Sequence, residues 1–163
     1  MKYILEPMSE RHRRPVVEIY NHYVENSFAA YPERKLEYGF FDRFLDMSKG
    51  YPAVVAITET GETVGFGFLH PYSPASSFKR TANVTYFIHP NHTRKGLGKS
   101  MLSRLTDEAR GMEIDHLLAN ISSHNQESLE FHRKYGFQEC GRFPGVGKKF
   151  DKDFDVVWMI KEI

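Results

Sequence analysis

The sequence predicts an α/β domain in which strands and helices alternate. Three observations carry that expectation. Four segments place apolar residues at helical spacing, and seven short runs rich in Val, Ile, Phe and Tyr are bounded by Pro, Gly and Asp turns. One of those runs, Ala82–His89, breaks at Pro90 into a basic turn with two glycines, and an amphipathic segment begins at once.

In chain order, Tyr3–Glu6 is expected as a short strand closed by Pro7. Arg13–Asn26 puts Val16, Ile19, Tyr20, Tyr23 and Val24 at helical spacing, with Pro15 tolerable in the first turn. Leu36–Met47 repeats the pattern with Phe40, Phe41, Phe44 and Leu45, and Ser27–Pro32 between the two helices is an aromatic-bearing connection suited to reach a ligand. Ala53–Thr58 and Thr63–His70 form a hairpin through Thr60-Gly61-Glu62, followed by a Ser/Pro loop over Pro71–Lys79. After the strand Ala82–His89, Leu97–Arg110 is a helix whose buried face is marked by Leu97, Met101, Leu105, Ala109 and Met112. His116–Ile121 is a buried strand, and Gln126–Tyr135 a helix capped by Asn125 and stopped by Gly136. Phe137–Arg142 and Asp155–Ile160 complete the sheet, while Lys148, Lys149, Asp151, Asp153 and Asp155 are expected as a solvated turn surface.

Composition bounds the function without choosing it. At 163 residues, with 40% hydrophobic and 26% charged, the chain is expected to be a single domain over 1–163 with a sizeable core. A net charge of +1 offers no extended basic field for nucleic acid or a membrane surface. The 13 Phe and 9 Tyr suit an apolar ligand cleft as well as a well-packed core. The single Cys140 excludes an intramolecular disulfide and every multi-cysteine zinc pattern. His89 and His92 are spaced like metal ligands but flank a proline turn without a partner cluster, so no metal is expected. No apolar run approaches the roughly 20 residues that span a bilayer, and Met1–Pro7 is too short and polar for a signal peptide. A cytoplasmic protein is expected.

The most informative segment is Ile88–Lys99. A helix N-terminus carries unsatisfied N–H donors and partial positive charge, and here Arg94, Lys95 and Lys99 add cations while Gly96 and Gly98 leave no Cβ in the way of a close-lying anion. The arrangement is that of an anion site, suited to a pyrophosphate. A dinucleotide-binding Rossmann turn is excluded by spacing, since no third glycine or ribose-binding acid follows in register.

Three blocks in this order resemble the GNAT superfamily of acetyl-coenzyme A-dependent N-acetyltransferases, most nearly its phosphinothricin/methionine sulfone branch. They are Tyr86-Phe87-Ile88-His89-Pro90 running into Gly96-Leu97-Gly98-Lys99, Asn125–Ser128 followed by Phe131-His132 and Tyr135-Gly136-Phe137, and Val146-Gly147 with Lys149-Phe150 and Asp155–Met159. The resemblance covers almost the whole chain. It implies the GNAT fold, a mixed, mostly antiparallel sheet of about six to seven strands flanked by about four helices.

The same resemblance implies acetyl-CoA as co-substrate, with the pyrophosphate held by residues Arg94, Lys95, Gly96, Leu97, Gly98 and Lys99. Relatives carry Arg or Gln three residues before the first glycine. Thr93 stands there, leaving Arg94 and Lys95 to supply the charge. Phe87 and Ile88 fall where the pantetheine amides and thioester carbonyl are bound, at a point where two strands splay apart. Asn125 and Ser128 match cofactor-contacting positions, and His132 matches the residue that protonates the leaving thiolate. An imidazole titrates near ~6.5 and suits that task.

For the acceptor, the resemblance implies a small primary amine, an amino acid or analogue, attacked directly in a ternary complex. Phe28, Tyr31, Tyr72 and Phe68 are candidate pocket residues. Asn83 falls where close relatives carry a glutamate base, and asparagine cannot take up a proton. His70, His89 or His124 acting through water, a substrate that arrives neutral, or a different substrate are the open alternatives. Cys140 lies outside the cofactor blocks, so no acyl-cysteine is expected. The family also implies a homodimer, for which the aromatic C-terminal hairpin is the candidate interface. An acetyl-CoA-binding module without transferase activity is the second reading.

Overall fold

A computed structural model describes all 163 residues. It contains seven strands, β1 (Tyr3–Pro7), β2 (Ala53–Thr58), β3 (Thr63–Pro71), β4 (Thr81–Ile88), β5 (His116–Ser122), β6 (Gln138–Lys149) and β7 (Lys152–Glu162). Four helices accompany them, α1 (Arg13–Asn26), α2 (Phe41–Met47), α3 (Leu97–Gly111) and α4 (Gln126–Lys134). The strands form one sheet in the order β1-β2-β3-β4-β5-β7-β6, antiparallel at every pair except β4–β5. The mixed, mostly antiparallel architecture is therefore the observed one.

Side-chain alternation divides the interior into two cores. Val54, Ala56, Ala82 and Val84 pack with Leu97, Met101, Leu105 and Ala109 of α3 and Leu129 of α4. On the other face, Val55, Phe66 and Phe68 pack with Val16, Val17 and Ile19 of α1 and with Phe41 and Phe44 of α2. Each buried Phe or Leu contributes roughly 1.5–3 kcal/mol by leaving water, so the sheet is fixed from both sides.

Two expectations are corrected. The second helix does not begin at Leu36: residues 38–40 form a short 3-10 turn and α2 starts at Phe41. Asn21 captures the Leu36 backbone, its side-chain N–H donating to the Leu36 carbonyl at 2.9 Å and its oxygen accepting the Leu36 N–H at 2.8 Å. Those groups are then unavailable to a helix. The C-terminal hairpin is also longer than the sequence suggests. Pro144, Gly145 and Gly147 look like strand breakers, yet β6 absorbs them as an exposed edge strand with irregular register between Phe143 and Gly147. Its turn is Phe150-Asp151, both at positive φ, 53° and 59°.

Candidate active site

The parallel pairing of β4 with β5 lasts only three residues, Thr81–Asn83 against His116–Leu118, and the strands then part as the family resemblance implies. A cleft of about 1060 Å³ opens there. Alternation assigns the backbone groups on β4. His89 N–H donates to the Val64 carbonyl at 2.8 Å, whereas the Arg80 carbonyl accepts from Asp115 and His116 at 3.0 and 3.1 Å. Odd positions of β4 therefore bond to β3 and even positions face the gap. Tyr86 and Ile88 present unpaired N–H groups to the cleft, while the Phe87 N–H is turned to β3. The Ile88 carbonyl accepts the Tyr23 hydroxyl from α1.

Beyond β4 the chain makes the basic turn. Arg94 and Gly96 both adopt the left-handed region, at φ 60° and 82°, so successive N–H groups curl into a concave cradle ahead of α3. The first N–H groups of α3 have no intrahelical partner, and the helix dipole adds about half a positive charge there. The two glycines serve different ends. Gly96 supplies the positive φ and has open space where a Cβ would stand, whereas a Cβ on Gly98 would sit 3.2 Å from the Phe131 ring of α4. Gly98 thus permits close packing of two helices whose N-terminal turns border the cleft. Arg94 lines the cleft and reaches Glu127 at 3.5 Å, both side chains being well exposed.

On α4, Asn125 is the expected cap and accepts the Ser128 N–H at 3.2 Å. His132 is 4% exposed, and both its ring nitrogens are engaged. Nδ1 lies 2.7 Å from the Ser128 carbonyl and Nε2 lies 2.5 Å from Tyr86 Oη. A carbonyl only accepts, so Nδ1 carries the proton, and neutral Nε2 accepts from the phenol. Burial lowers the His132 pKa below its ordinary value and raises that of Tyr86. At rest, then, the pair is neutral and the His132 nitrogen that faces Tyr86 has no proton to give. The acid role the resemblance assigns to His132 alone does not fit this tautomer. The hydroxyl bonded to Nε2, that of Tyr86, belongs to a residue lining the cleft.

The opposite end of the cleft is built by the Ser27–Tyr31 connection, α1, α2 and β3. Ser27 Oγ donates to the Tyr23 carbonyl at 2.9 Å and accepts the Ala29 N–H at 3.1 Å. Lys149, expected in solvent, is instead 1% exposed and donates to the Ala30 carbonyl at 2.6 Å. Burial pushes its pKa below the usual lysine value. The Tyr31 ring stacks on Phe154 at 5.6 Å and its hydroxyl donates to Asn120 Oδ1 at 2.9 Å, while Phe28 lies 4.7 Å from the His124 ring. Burial pushes the hydroxyls of Tyr20, Tyr23 and Tyr31 up to about 12, so they remain protonated donors. Arg43 lines this end with its guanidinium 5.7 Å from the centre of the Phe40 ring.

Most of the residues singled out in the sequence meet at this cleft: Phe28, Tyr31, Phe68, Phe87, Ile88, Arg94, Gly96, Gly98, Lys99, Asn125, Ser128 and His132 all line it. Four do not. The Leu97 side chain, 2% exposed, belongs to the α3 core, and Lys95 sits outward on the turn. Tyr72 packs on Phe78 at 5.4 Å in the loop after β3 and is half-exposed. Asn83 is 8% exposed, with Oδ1 buried and unpartnered, and lies off the wall. His89 is also off it, its Nδ1 accepting the Asn91 N–H at 3.1 Å. No group of three or more His, Cys, Asp or Glu gathers anywhere in the chain to hold a metal. The sequence reading missed Tyr20, Tyr23, Arg43 and Tyr86. Tyr86 alone carried a signal, being one pleat before Ile88 and on the same side of the strand.

Comparison with known proteins agrees with this geometry. Residues 16–137 match the Acetyltransferase (GNAT) family. The chain is 33% identical over 146 residues to an L-amino acid N-acyltransferase, MnaT, of Escherichia coli (strain K12), spanning 88% of this chain and 84% of that protein. It is 32% identical, over 88% of this chain and 85% of the relative, to an L-methionine sulfoximine/L-methionine sulfone acetyltransferase of Salmonella typhimurium. A phosphinothricin acetyltransferase from Sinorhizobium meliloti, solved with AcCoA, superposes with a TM-score of 0.93 at 25% identity, over 100% of this chain and 89% of that one.

Proposed function

The chain belongs to the GNAT acetyltransferase family, and on that footing we propose that it moves an acetyl group from acetyl-CoA to the primary amine of an amino acid or close analogue. Transfer is by direct attack in a ternary complex. The observation that carries the proposal is the parting of β4 from β5 beside a left-handed, basic helix start. The cleft fits a long donor that is anionic at one end and amide-rich along its arm. Bound there, acetyl-CoA supplies an activated thioester.

The chain's own groups then have definite tasks. Arg94, Lys99 and the N–H groups around Gly96 hold the pyrophosphate. The N–H groups of Ile88 and Tyr86 continue the open edge of β4, where they bond the arm's amides and polarise the acyl carbonyl. Fixed donors of this kind are commonly the largest single catalytic term. His132 holds the Tyr86 hydroxyl in place at rest, and that hydroxyl stabilises the departing sulfur by a hydrogen bond once it turns its single proton away from Nε2. Phe28, Tyr31, Phe68 and Arg43 border the acceptor, and the guanidinium suits an α-carboxylate. The supporting relatives carry amino-acid-like substrates in their names.

Two finer points belong to the same proposal. The edge strand β6 exposes Phe143 at 54% and Val146 at 61%, an apolar edge suited to pairing with a second copy. The free, exposed Cys140 suits a reducing compartment such as the cytoplasm, and we expect activity without added metal. The test is to mix purified protein with acetyl-CoA and a panel of amino acids and their sulfoximine, sulfone and phosphinic analogues, following free thiol. Tight acetyl-CoA binding with no thiol release for any amine would leave a binding module and overturn the proposal.

A further inference from the structure

An amine at neutral pH is an ammonium without a lone pair, so a group within about 3.2 Å of it, or one water away, has to accept a proton. The cleft offers few candidates. Glu127 is the only carboxylate on its wall, and it lies exposed beside Arg94 at the anion turn. Both nitrogens of His132 are bonded. His124 is exposed and its Nε2 bonds the Asp153 carbonyl at 2.9 Å. The phenols of Tyr20, Tyr23 and Tyr31 are protonated.

His70 is left. It stands on β3 opposite Asn83 of β4, half-buried, on the face that carries Phe66 and Phe68. Its ring lies 6.0 Å from Phe68 and has no side-chain hydrogen-bond partner. A neutral imidazole carries its proton on one ring nitrogen and leaves the other free to accept. The charged and titratable groups on this side of the cleft are Arg43 from α2, Tyr20 and Tyr23 from α1, Tyr31 from the connection and His124 after β5. Arg43 is the one guanidinium among them, and no carboxylate is present to hold a proton on His70.

The geometry points to His70 as the group that accepts the ammonium proton of the acceptor, which deepens the acetyl-transfer proposal and rests on it. One proton passes from R–NH3⁺ to the free imidazole nitrogen. The amine nitrogen bonds the acyl carbon as the C–S bond breaks, and the second N–H proton ends on the departing sulfur. The products are the amide, the thiol and a protonated His70 that returns its proton to water. Burial lowers the His70 pKa below 6.5, so the neutral, accepting form prevails at pH 7.

The test compares the parent with His70→Gln and His70→Ala, using whichever amine gives the fastest thiol release. We expect kcat/KM at pH 7 to fall by about 100-fold or more in both variants, with acetyl-CoA affinity unchanged. The parent's loss of rate as pH drops below about 6.5 should vanish in His70→Gln, and added imidazole should restore part of the rate in His70→Ala. An acid limb that persists in His70→Gln, or an equal loss at every pH without imidazole rescue, overturns the assignment. A parent that binds acetyl-CoA yet releases no thiol overturns the transfer proposal instead.

Discussion

Gly96 and Gly98 sit two residues apart in one turn, yet replacing them should fail in different ways. Gly96→Ala meets open space, so its only burden is the left-handed φ of 82°. That conformation costs an L residue about 1–2 kcal/mol. If the turn relaxes when empty and must be driven back by the ligand, the whole penalty appears in binding. At 1.4 kcal/mol per factor of ten, acetyl-CoA should bind roughly 5–30-fold more weakly. Gly96→Asn, which tolerates the left-handed region, should recover most of that loss. Gly98→Val keeps an ordinary backbone but drives its Cβ to 3.2 and 3.3 Å from the Phe131 ring and 3.6 Å from Ile88 Cδ1. Overpacking costs about 1–3 kcal/mol and should lower the stability of the ligand-free protein as well as its affinity. Titration calorimetry with acetyl-CoA, paired with denaturant unfolding of the free protein, separates the two cases. Parent-like affinity in Gly96→Ala, or weaker binding by Gly96→Asn than by Gly96→Ala, would refute the reasoning.

Three further outcomes are expected. Tyr86→Phe strands the buried Nε2 of His132, so unfolding should show a loss of about 1–3 kcal/mol and kcat should fall while acetyl-CoA affinity changes little; unchanged kcat would remove Tyr86 from the leaving-group side. In Lys149→Met, loss of the bond to the Ala30 carbonyl should raise KM for the amine more than it lowers kcat. The folded-state pKa of Lys149 lies below 10.5, so between the folded value and 10.5 the unfolded chain binds more protons; the parent's stability should rise with pH across that window and the variant's should not, by denaturant unfolding. Tyr31→Phe, which removes the donor to Asn120, should raise KM for the amine several-fold, whereas Tyr72→Ala should leave steady-state constants at parent values because its ring packs outside the cleft.

The donor half of the site was legible in the sequence because its chemistry is local and largely backbone. A strand, a proline, a left-handed glycine and a helix start within Ile88–Lys99 suffice to aim N–H groups at one point. Asn125 as a cap and Gly136 as a stop, at φ 94°, are likewise local rules. The departures arose where a distant side chain intervened. Asn21 claims the backbone of Leu36, 15 residues on, and delays α2. Lys149 reaches Ala30 from 119 residues away, which no turn or charge pattern announces. The tautomer of His132 is set by the Ser128 carbonyl and by Tyr86, 46 residues upstream, which the sequence does not announce.

The acceptor half shows why such a site resists reading from sequence. Its groups come from five separate segments, α1, the Ser27–Tyr31 connection, α2, β3 and the turn after β5, which no single motif joins in the chain. What binds them is the pleat. Because Phe66, Phe68 and His70 alternate on one face of β3, two rings fill the second core and the third position, beyond the helices' cover, emerges in the cleft. Across the ladder Asn83 stands opposite His70, so a change of side chain at either position alters the surroundings of the other, although Asn83 itself lies behind the cleft wall. Proton acceptance can then move from one strand to its neighbour without moving the donor site. An Asn83→Glu substitution in the His70→Gln background tests that equivalence directly: recovered kcat/KM at pH 7 would show that the cross-strand pair, rather than either residue alone, is the unit that carries the base.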